Sequence, residues 1–141
     1  PLLNEMKFKA EKLRDNIKVH FMGKVSNKDI LDFYSEKSID LFLNFSDHEG
    51  IPVAIMEAIS FSIPVIATNV GGTSEIVNEN TGILIEKDFC FSYVADIINN
   101  YPTNIVFQLD FRKSVHNFWD NNFNSVNCHG KFCKELLNHL N

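Results

Sequence analysis

Two glutamates carry the clearest chemical signal in this sequence. Glu49 lies in a polar loop, Phe45-Ser46-Asp47-His48-Glu49-Gly50, and Glu57 follows eight residues later, about two turns into a helix that Ile51-Pro52 opens. A carboxylate accepts two hydrogen bonds from a vicinal diol, which suits Glu57 to the ribose hydroxyls of a nucleotide. Glu49, ahead of the helix, can reach a second and more exposed polar group. Between them the helix start presents N–H groups that lack intrahelical partners and carry partial positive charge, a seat for a diphosphate. Sugar, phosphate and ribose then follow one another along a single helix start. Spacing alone also allows a plainer reading, a helix-start glutamate plus a solvated one, since such pairs arise by chance in an acidic protein.

The elements that position these residues follow from hydrophobic period and breakers. Asn4 to Asp15 reads as a helix, with Met6, Ala10 and Leu13 at helical spacing, and Ile17 to Phe21 as a strand ending at Gly23. Ser26-Asn27-Lys28-Asp29 has the form of a capping box for a helix to about Glu36 that buries Ile30, Leu31 and Phe33 or Tyr34. Strands are expected at Ile39–Leu43, Pro64–Ala67 and Gly82–Ile85, and helices at Val53–Ser60, Thr73–Val77 and Phe91–Asn99, the last stopped by Pro102. Further helices are expected near Asn104–Phe118 and Asn124–Leu140, with Trp119 and Phe123 at their joint. Alternating strands and helices with short connections imply a doubly wound α/β architecture, and continuous apolar strands imply a parallel sheet covered on both faces. Ligands bind such sheets outside the carboxyl ends of the strands, where the Glu49 loop and a second loop, Thr68-Asn69-Val70-Gly71-Gly72, both fall.

Bulk properties bound the function. With 141 residues, 45% of them apolar, the chain suits one globular domain. No apolar run approaches the roughly 18 residues of a membrane-spanning helix, and Pro1 to Glu5 has no signal-peptide pattern. An odd set of three cysteines, Cys90, Cys128 and Cys133, points to a reducing, cytoplasmic setting. A formal charge of -5 without any basic run argues against nucleic-acid binding.

The segment from Glu49 to Ala58, Glu-Gly-Ile-Pro-Val-Ala-Ile-Met-Glu-Ala, resembles the E-x7-E signature of retaining GT-B glycosyltransferases, the large family 4 group also called glycosyl transferases group 1. Ile63 to Val77, with its Gly71-Gly72, is similar to the family's next segment, and so are Val19–Val25, Asp40–Leu43 and Thr81–Leu84, in the family's order. The resemblance implies a Rossmann-like, doubly wound parallel sheet flanked by helices, the C-terminal half of a GT-B fold. It implies a nucleotide-sugar-binding domain over residues 1–118, and a helical segment over 119–141 that packs on an N-terminal domain. Pro1-Leu2 resembles the tail of a G-x-G-P-L turn, which would place the first strand, that N-terminal domain and a basic pair neutralising the diphosphate ahead of this chain.

By the same resemblance, Glu57 binds the nucleotide ribose and Glu49 positions the donor sugar near the reacting carbon. Gly50 and the amides of Val53 and Ala54 face the phosphates, and the backbone at Gly23, Lys24 and Val25 contacts the base. Gly71, Gly72 and Thr73 shape the neighbouring loop with His48 beside them, and Glu75 fixes that loop. Pro52 stands where many members have glycine, so one phosphate donor is lost. The implied reaction transfers a sugar from a nucleotide-diphosphate sugar with retention and without a metal or other cofactor, the departing diphosphate being held by oriented positive groups. The implied acceptor is a saccharide or lipid-linked saccharide bound through the N-terminal domain. The implied setting is polysaccharide or glycoconjugate synthesis at the cytoplasmic face of a membrane, with peripheral association of the full-length protein.

Other readings remain open at this stage. An epimerase or phosphorylase of the same fold would share the site, and a non-catalytic nucleotide-binding module would share the domain. Glycoside hydrolysis is disfavoured, because both glutamates come from one helix start and do not flank a sugar. Cys128, His129, Cys133 and His139 match no strong zinc spacing. His20 reads as a partly buried strand residue, and Phe107, Phe111, Phe118, Trp119 and Phe123 read mainly as packing.

Overall fold

A computed structural model describes residues 2–100 and 109–140. The chain forms two compact units, Pro1–Asp32 and Phe33–Asn141.

In the first unit, α1 (Leu2–Ala10) buries none of its residues. The helix is shorter than expected, breaking into turns after Ala10. The strand expected at Ile17–Phe21 does not form: the segment is irregular, and Ile17, Val19 and Phe21 remain exposed. Extended, β-prone residues become a strand only when a neighbour takes up their N–H and C=O groups, and none does so here among the described residues. His20 is exposed as well, not partly buried. Helix α2 (Asn27–Glu36) starts as its sequence predicts, the Asp29 N–H donating to Ser26 Oγ at 3.2 Å.

The second unit holds a three-stranded parallel sheet in the order β1 (Phe42–Asn44), β2 (Val65–Thr68), β3 (Gly82–Ile85). β2 is central, and all four of its residues are buried. Its side chains alternate between two cores. Val65 and Ala67 pack with Ile55 and Ile59 of α3 (Val53–Ser60), with Ile76 and Val77, and with Val115 of α5 (Leu109–Asn122). Ile66 packs on the other face with Ile85 and with Val94 of α4 (Phe91–Asn99). The sheet is therefore covered on both faces, the α/β architecture expected from its unbroken apolar strands. Gly82 lies opposite Val65, where any Cβ would collide with the Val65 carbonyl.

Several boundaries differ from expectation. The first strand of this sheet is Phe42–Asn44, later and shorter than Ile39–Leu43. The short helix is a 3-10 turn over Gly71–Glu75, two residues early, because Gly72 and Thr73 find acceptors in Gly50 and Val70. α5 runs through the 118/119 boundary to Asn122, so Trp119 lies inside the helix and only Phe123 sits at the joint with α6 (Ser125–Leu140). Phe111, Phe118, Trp119 and Phe123 do pack on the core. Pro102 and Phe107, like 104–108 of the expected helix, lie outside the described residues. No helix of the described residues is long and apolar enough to cross a membrane.

Candidate functional site

At the carboxyl end of β1 the backbone turns sharply, and its polar residues converge on Glu49. Asn44 Oδ1 accepts from the Ser46 N–H at 3.1 Å, closing a small turn. Ser46 Oγ then donates to Glu49 Oε1 at 2.6 Å, and Asn44 Nδ2 donates to the same oxygen at 3.3 Å. These two bonds, the serine first, hold the Glu49 carboxyl below the usual carboxylate range. Both bonds land on Oε1. The loop is tied to the sheet by Thr68 Oγ1, which donates to the Ser46 carbonyl at 2.6 Å.

The second loop packs backbone to backbone on the first. The Gly72 N–H donates to the Gly50 carbonyl at 2.8 Å. Gly71 has φ +54°, and a side chain there would run into the Glu49 carbonyl. A Cβ on Gly72 would meet Gly50 O at 3.0 Å and Ile51 Cγ1 at 3.1 Å. The double glycine thus fixes the height of the Glu49–Gly50 backbone above the sheet. Thr73 Oγ1 closes the loop onto the Val70 carbonyl at 2.7 Å. Glu75, expected to fix this loop, closes the 3-10 turn, and its Oε1 lies against Gly72, 3.3 Å from where a Cβ would stand there.

Helix α3 begins at Val53, with buried Pro52 as its N-cap and no side chain capping it. Proline's carbonyl accepts from Ile55 and Met56, at 3.1 and 3.3 Å, so the first intrahelical bonds belong to those residues and the N–H groups of Val53 and Ala54 precede them. Val53 (58% exposed) and Ala54 lie on the open face, while Ile55, Ala58 and Ile59 are buried. Glu57 is half-buried one turn beyond Val53. Val53 and Glu57, four residues apart, share one face of the helix. Tyr34 stands on the far side, edge-on to Phe61 with ring centroids 5.8 Å apart. Its hydroxyl titrates above the ordinary value, chiefly through burial and secondly through the charge of Glu57.

The structure therefore brings Glu49, Gly50, Val53, Ala54, Glu57, Gly71, Gly72 and Thr73 to one end of the second unit, at the carboxyl ends of β1 and β2. His48 is exposed in the same loop. Gly23, Lys24 and Val25 belong to the first unit, where Gly23 adopts φ +67° and Lys24 is exposed. Sequence reasoning missed Asn44, Ser46 and Thr68. Their signal was a run of short polar side chains at a strand's carboxyl end, which local turn chemistry would have explained without Glu49. Among the described residues no group of three or more His, Cys, Asp or Glu side chains could hold a metal ion. The side chain of His139 lies outside them.

A parallel α/β domain with a glycine-tightened loop and an open helix start at its strand ends defines a class of small-ligand-binding domains. Residues 1–99 match the family of glycosyl transferases group 1, and the chain belongs to that family. An O-antigen biosynthesis glycosyltransferase of Escherichia coli is 40% identical over 69 residues, 49% of this chain and 19% of that protein. A lipopolysaccharide core biosynthesis mannosyltransferase of Rhizobium meliloti is 34% identical over 88 residues, 60% of this chain and 24% of that protein. The alignments thus span about a quarter or less of these relatives. Sucrose-phosphate synthase from Thermosynechococcus elongatus shares the fold, with a TM-score of 0.70 and 18% identity over 96% of this chain and 34% of that one.

Proposed function

We propose that this chain is the donor-binding part of a retaining, metal-independent glycosyltransferase of family 4 that uses a nucleotide-diphosphate sugar. In this reading Glu57 accepts hydrogen bonds from the ribose hydroxyls. The amides of Val53 and Ala54 and the positive end of α3 receive the diphosphate, worth most as charge builds on the leaving group. Glu49, its carboxylate form favoured by Ser46 and Asn44, accepts from hydroxyls of the donor sugar. Gly23, Lys24 and Val25 contact the base. The acceptor, a saccharide or lipid-linked saccharide, is bound with the help of a further domain, in polysaccharide or glycoconjugate synthesis at the cytoplasmic side of a membrane. Two relatives, named as a phosphatidylinositol N-acetylglucosaminyltransferase subunit of Homo sapiens and a galactosyltransferase acting on a GlcNAc-diphosphoundecaprenol in Escherichia coli, support a lipid-linked acceptor.

The observation that carries this reading is the pairing of a doubly hydrogen-bonded Glu49, its backbone packed on the double glycine, with a helix start four residues on that no side chain caps. Calorimetric titration with UDP, GDP and their sugars tests it. Binding is expected for one nucleotide series, and Glu57→Ala should weaken it by about 1.5–3 kcal/mol, the worth of a hydrogen bond to a charged group. Unchanged affinity in that variant would remove Glu57 from the ribose role. In the full-length enzyme, an inverted anomeric product would overturn retention.

A further inference from the structure

Among the described residues the buried polar side chains are three threonines, Thr68, Thr73 and Thr81. Each hydroxyl donates to a carbonyl, and two of these bonds stay within their own turn, Thr73 to Val70 at 2.7 Å and Thr81 to Ile76 at 2.6 Å. Thr68 differs. From the end of the central strand β2 its Oγ1 crosses to the loop after β1 and donates to the Ser46 carbonyl at 2.6 Å, at the short end of the usual range. Ser46 is thereby gripped on both sides of its backbone, since its N–H already donates to Asn44 Oδ1 at 3.1 Å. With N–H and C=O both fixed, only rotation about χ1 is left to its hydroxyl, which donates to Glu49 Oε1 at 2.6 Å. The backbone of Thr68 serves the second loop. Its carbonyl accepts from Val70 at 3.0 Å, and Gly72 in turn donates to the Gly50 carbonyl at 2.8 Å. Glu49 is therefore reached from Thr68 by two routes, through Ser46 to its carboxylate and through the double glycine to its backbone.

We propose that Thr68 is a positioning residue for Glu49, acting through Ser46, and that it sets the site's grip on the donor sugar and not on the nucleotide. The inference rests on the donor reading, in which Glu49 serves the sugar and Glu57 the ribose. A buried hydrogen bond, sheltered from competing water, holds its partner more firmly than an exposed one. Its anchor is rigid as well: β2 lies between β1 and β3, and the Asn69 N–H just after it donates to Ile85 at 2.8 Å. A carboxylate that must meet sugar hydroxyls at a fixed height gains most from such support, because its own loop has no regular structure. Glu57 needs none of it, since α3 is placed by Pro52 and by its own buried face. Loss of the Thr68 hydroxyl opens the side-chain route and leaves the backbone route closed. The loop then stays in place while the Glu49 carboxylate loosens.

The test compares the 141-residue chain with Thr68→Val, which keeps the branched shape and removes the donor, and with Thr68→Ser, which keeps the donor. Thr81→Val is the control, a buried threonine whose 2.6 Å bond lies at the entry to β3. The Glu49 side-chain carboxyl resonance is followed through a pH titration. Its midpoint should rise in Thr68→Val, return to the parent value in Thr68→Ser and stay there in Thr81→Val. Thr68→Ala, which also lacks the donor, must shift it in the same direction as Thr68→Val. A chain carrying both Ser46→Ala and Thr68→Val should titrate as Ser46→Ala alone, because the effect passes through Ser46. In calorimetry with UDP, GDP, UDP-galactose and GDP-mannose, Thr68→Val should weaken the nucleotide sugar about threefold or more relative to its nucleotide. An unmoved midpoint, further movement in the double variant, or equal loss for sugar and nucleotide would overturn the proposal. If neither nucleotide nor nucleotide sugar binds while the midpoint moves as stated, the donor reading falls and takes the sugar part of the proposal with it. The support of Glu49 by Thr68 through Ser46 then stands alone.

Discussion

A single serine hydroxyl is the largest influence on the carboxyl of Glu49, which sits half-buried in its loop. Ser46 lies closer to Glu49 than Asn44 does, and it is the larger cause of that carboxyl's lowered pKa. Ser46→Ala should move the Glu49 titration up toward the ordinary carboxylate value near 4, as read from its side-chain carboxyl resonance. A midpoint that did not move would show that Ser46 does not hold the carboxylate in solution. The sign for stability follows. A depressed folded-state pKa favours the ionised form, so the Ser46–Glu49 contact stabilises the fold above the unfolded pKa, and that contribution disappears as pH falls through the lower folded value. Donor affinity that depends on ionised Glu49 should therefore persist to lower pH in the parent chain than in Ser46→Ala. Glu57 lies in a different environment, half-buried on α3, where its charge helps raise the titration of the Tyr34 hydroxyl.

Among the elements, the site depends on two loops whose backbones touch. Gly71→Ala puts a methyl on the Glu49 carbonyl at a positive φ, and both faults must be relieved by moving the loop. A loss of about 2–3 kcal/mol is expected in urea denaturation, well above the cost of a surface substitution. Gly130→Ala is the matched control. That glycine lies inside α6 with open space around its Cβ position, so alanine there should raise stability by about 0.5–1 kcal/mol. If both variants behaved alike, the close approach of the two loops would be refuted. The helix Val53–Ser60 was legible to the residue, because Pro52 marks its start and period 3.6 marks its buried face. The 3-10 turn was misplaced by two residues because its position is set by Gly50, distant in sequence, and not by local preference. Ile17–Phe21 failed for a related reason, since strand propensity has no effect without a partner.

Across the molecule, the motif-bearing stretch does not complete its own core. Family resemblance ends at residue 99, yet α5 supplies fully buried Val115 and lays Phe111, Phe118 and Trp119 against the sheet's α3 side. Little in the sequence from 104 onward announced this, because an amphipathic helix with scattered aromatics fits many surfaces and only the fold selects one. The clamp that makes α5 part of the domain is Arg112. Its Nη2 donates to the carbonyls of Ile39 at 2.7 Å and Asp40 at 3.1 Å, and Nη1 donates to that of Ser62 at 3.4 Å. These carbonyls lie on the segment entering β1 and on the turn leaving α3, where Ser62 sits at φ +62°. One side chain thus ties both ends of the β1–α3 unit to the distal helix. Its ion pair with Asp40, 3.7 Å apart with the carboxylate exposed to solvent, adds little by comparison. Arg112→Met keeps the aliphatic stem and removes the donors, leaving carbonyls that water satisfies only in part. The expected cost is about 2 kcal/mol, the usual range for hydrogen bonds from a charged donor. It should appear as a lower urea midpoint with an unchanged denaturant slope. Because the clamp grips the amino ends of β1 and β2, away from Glu49 and Glu57, nucleotide affinity of the folded variant should match that of the parent. A stable variant with weakened nucleotide binding would mean that α5 acts on the site itself and not through the domain's core.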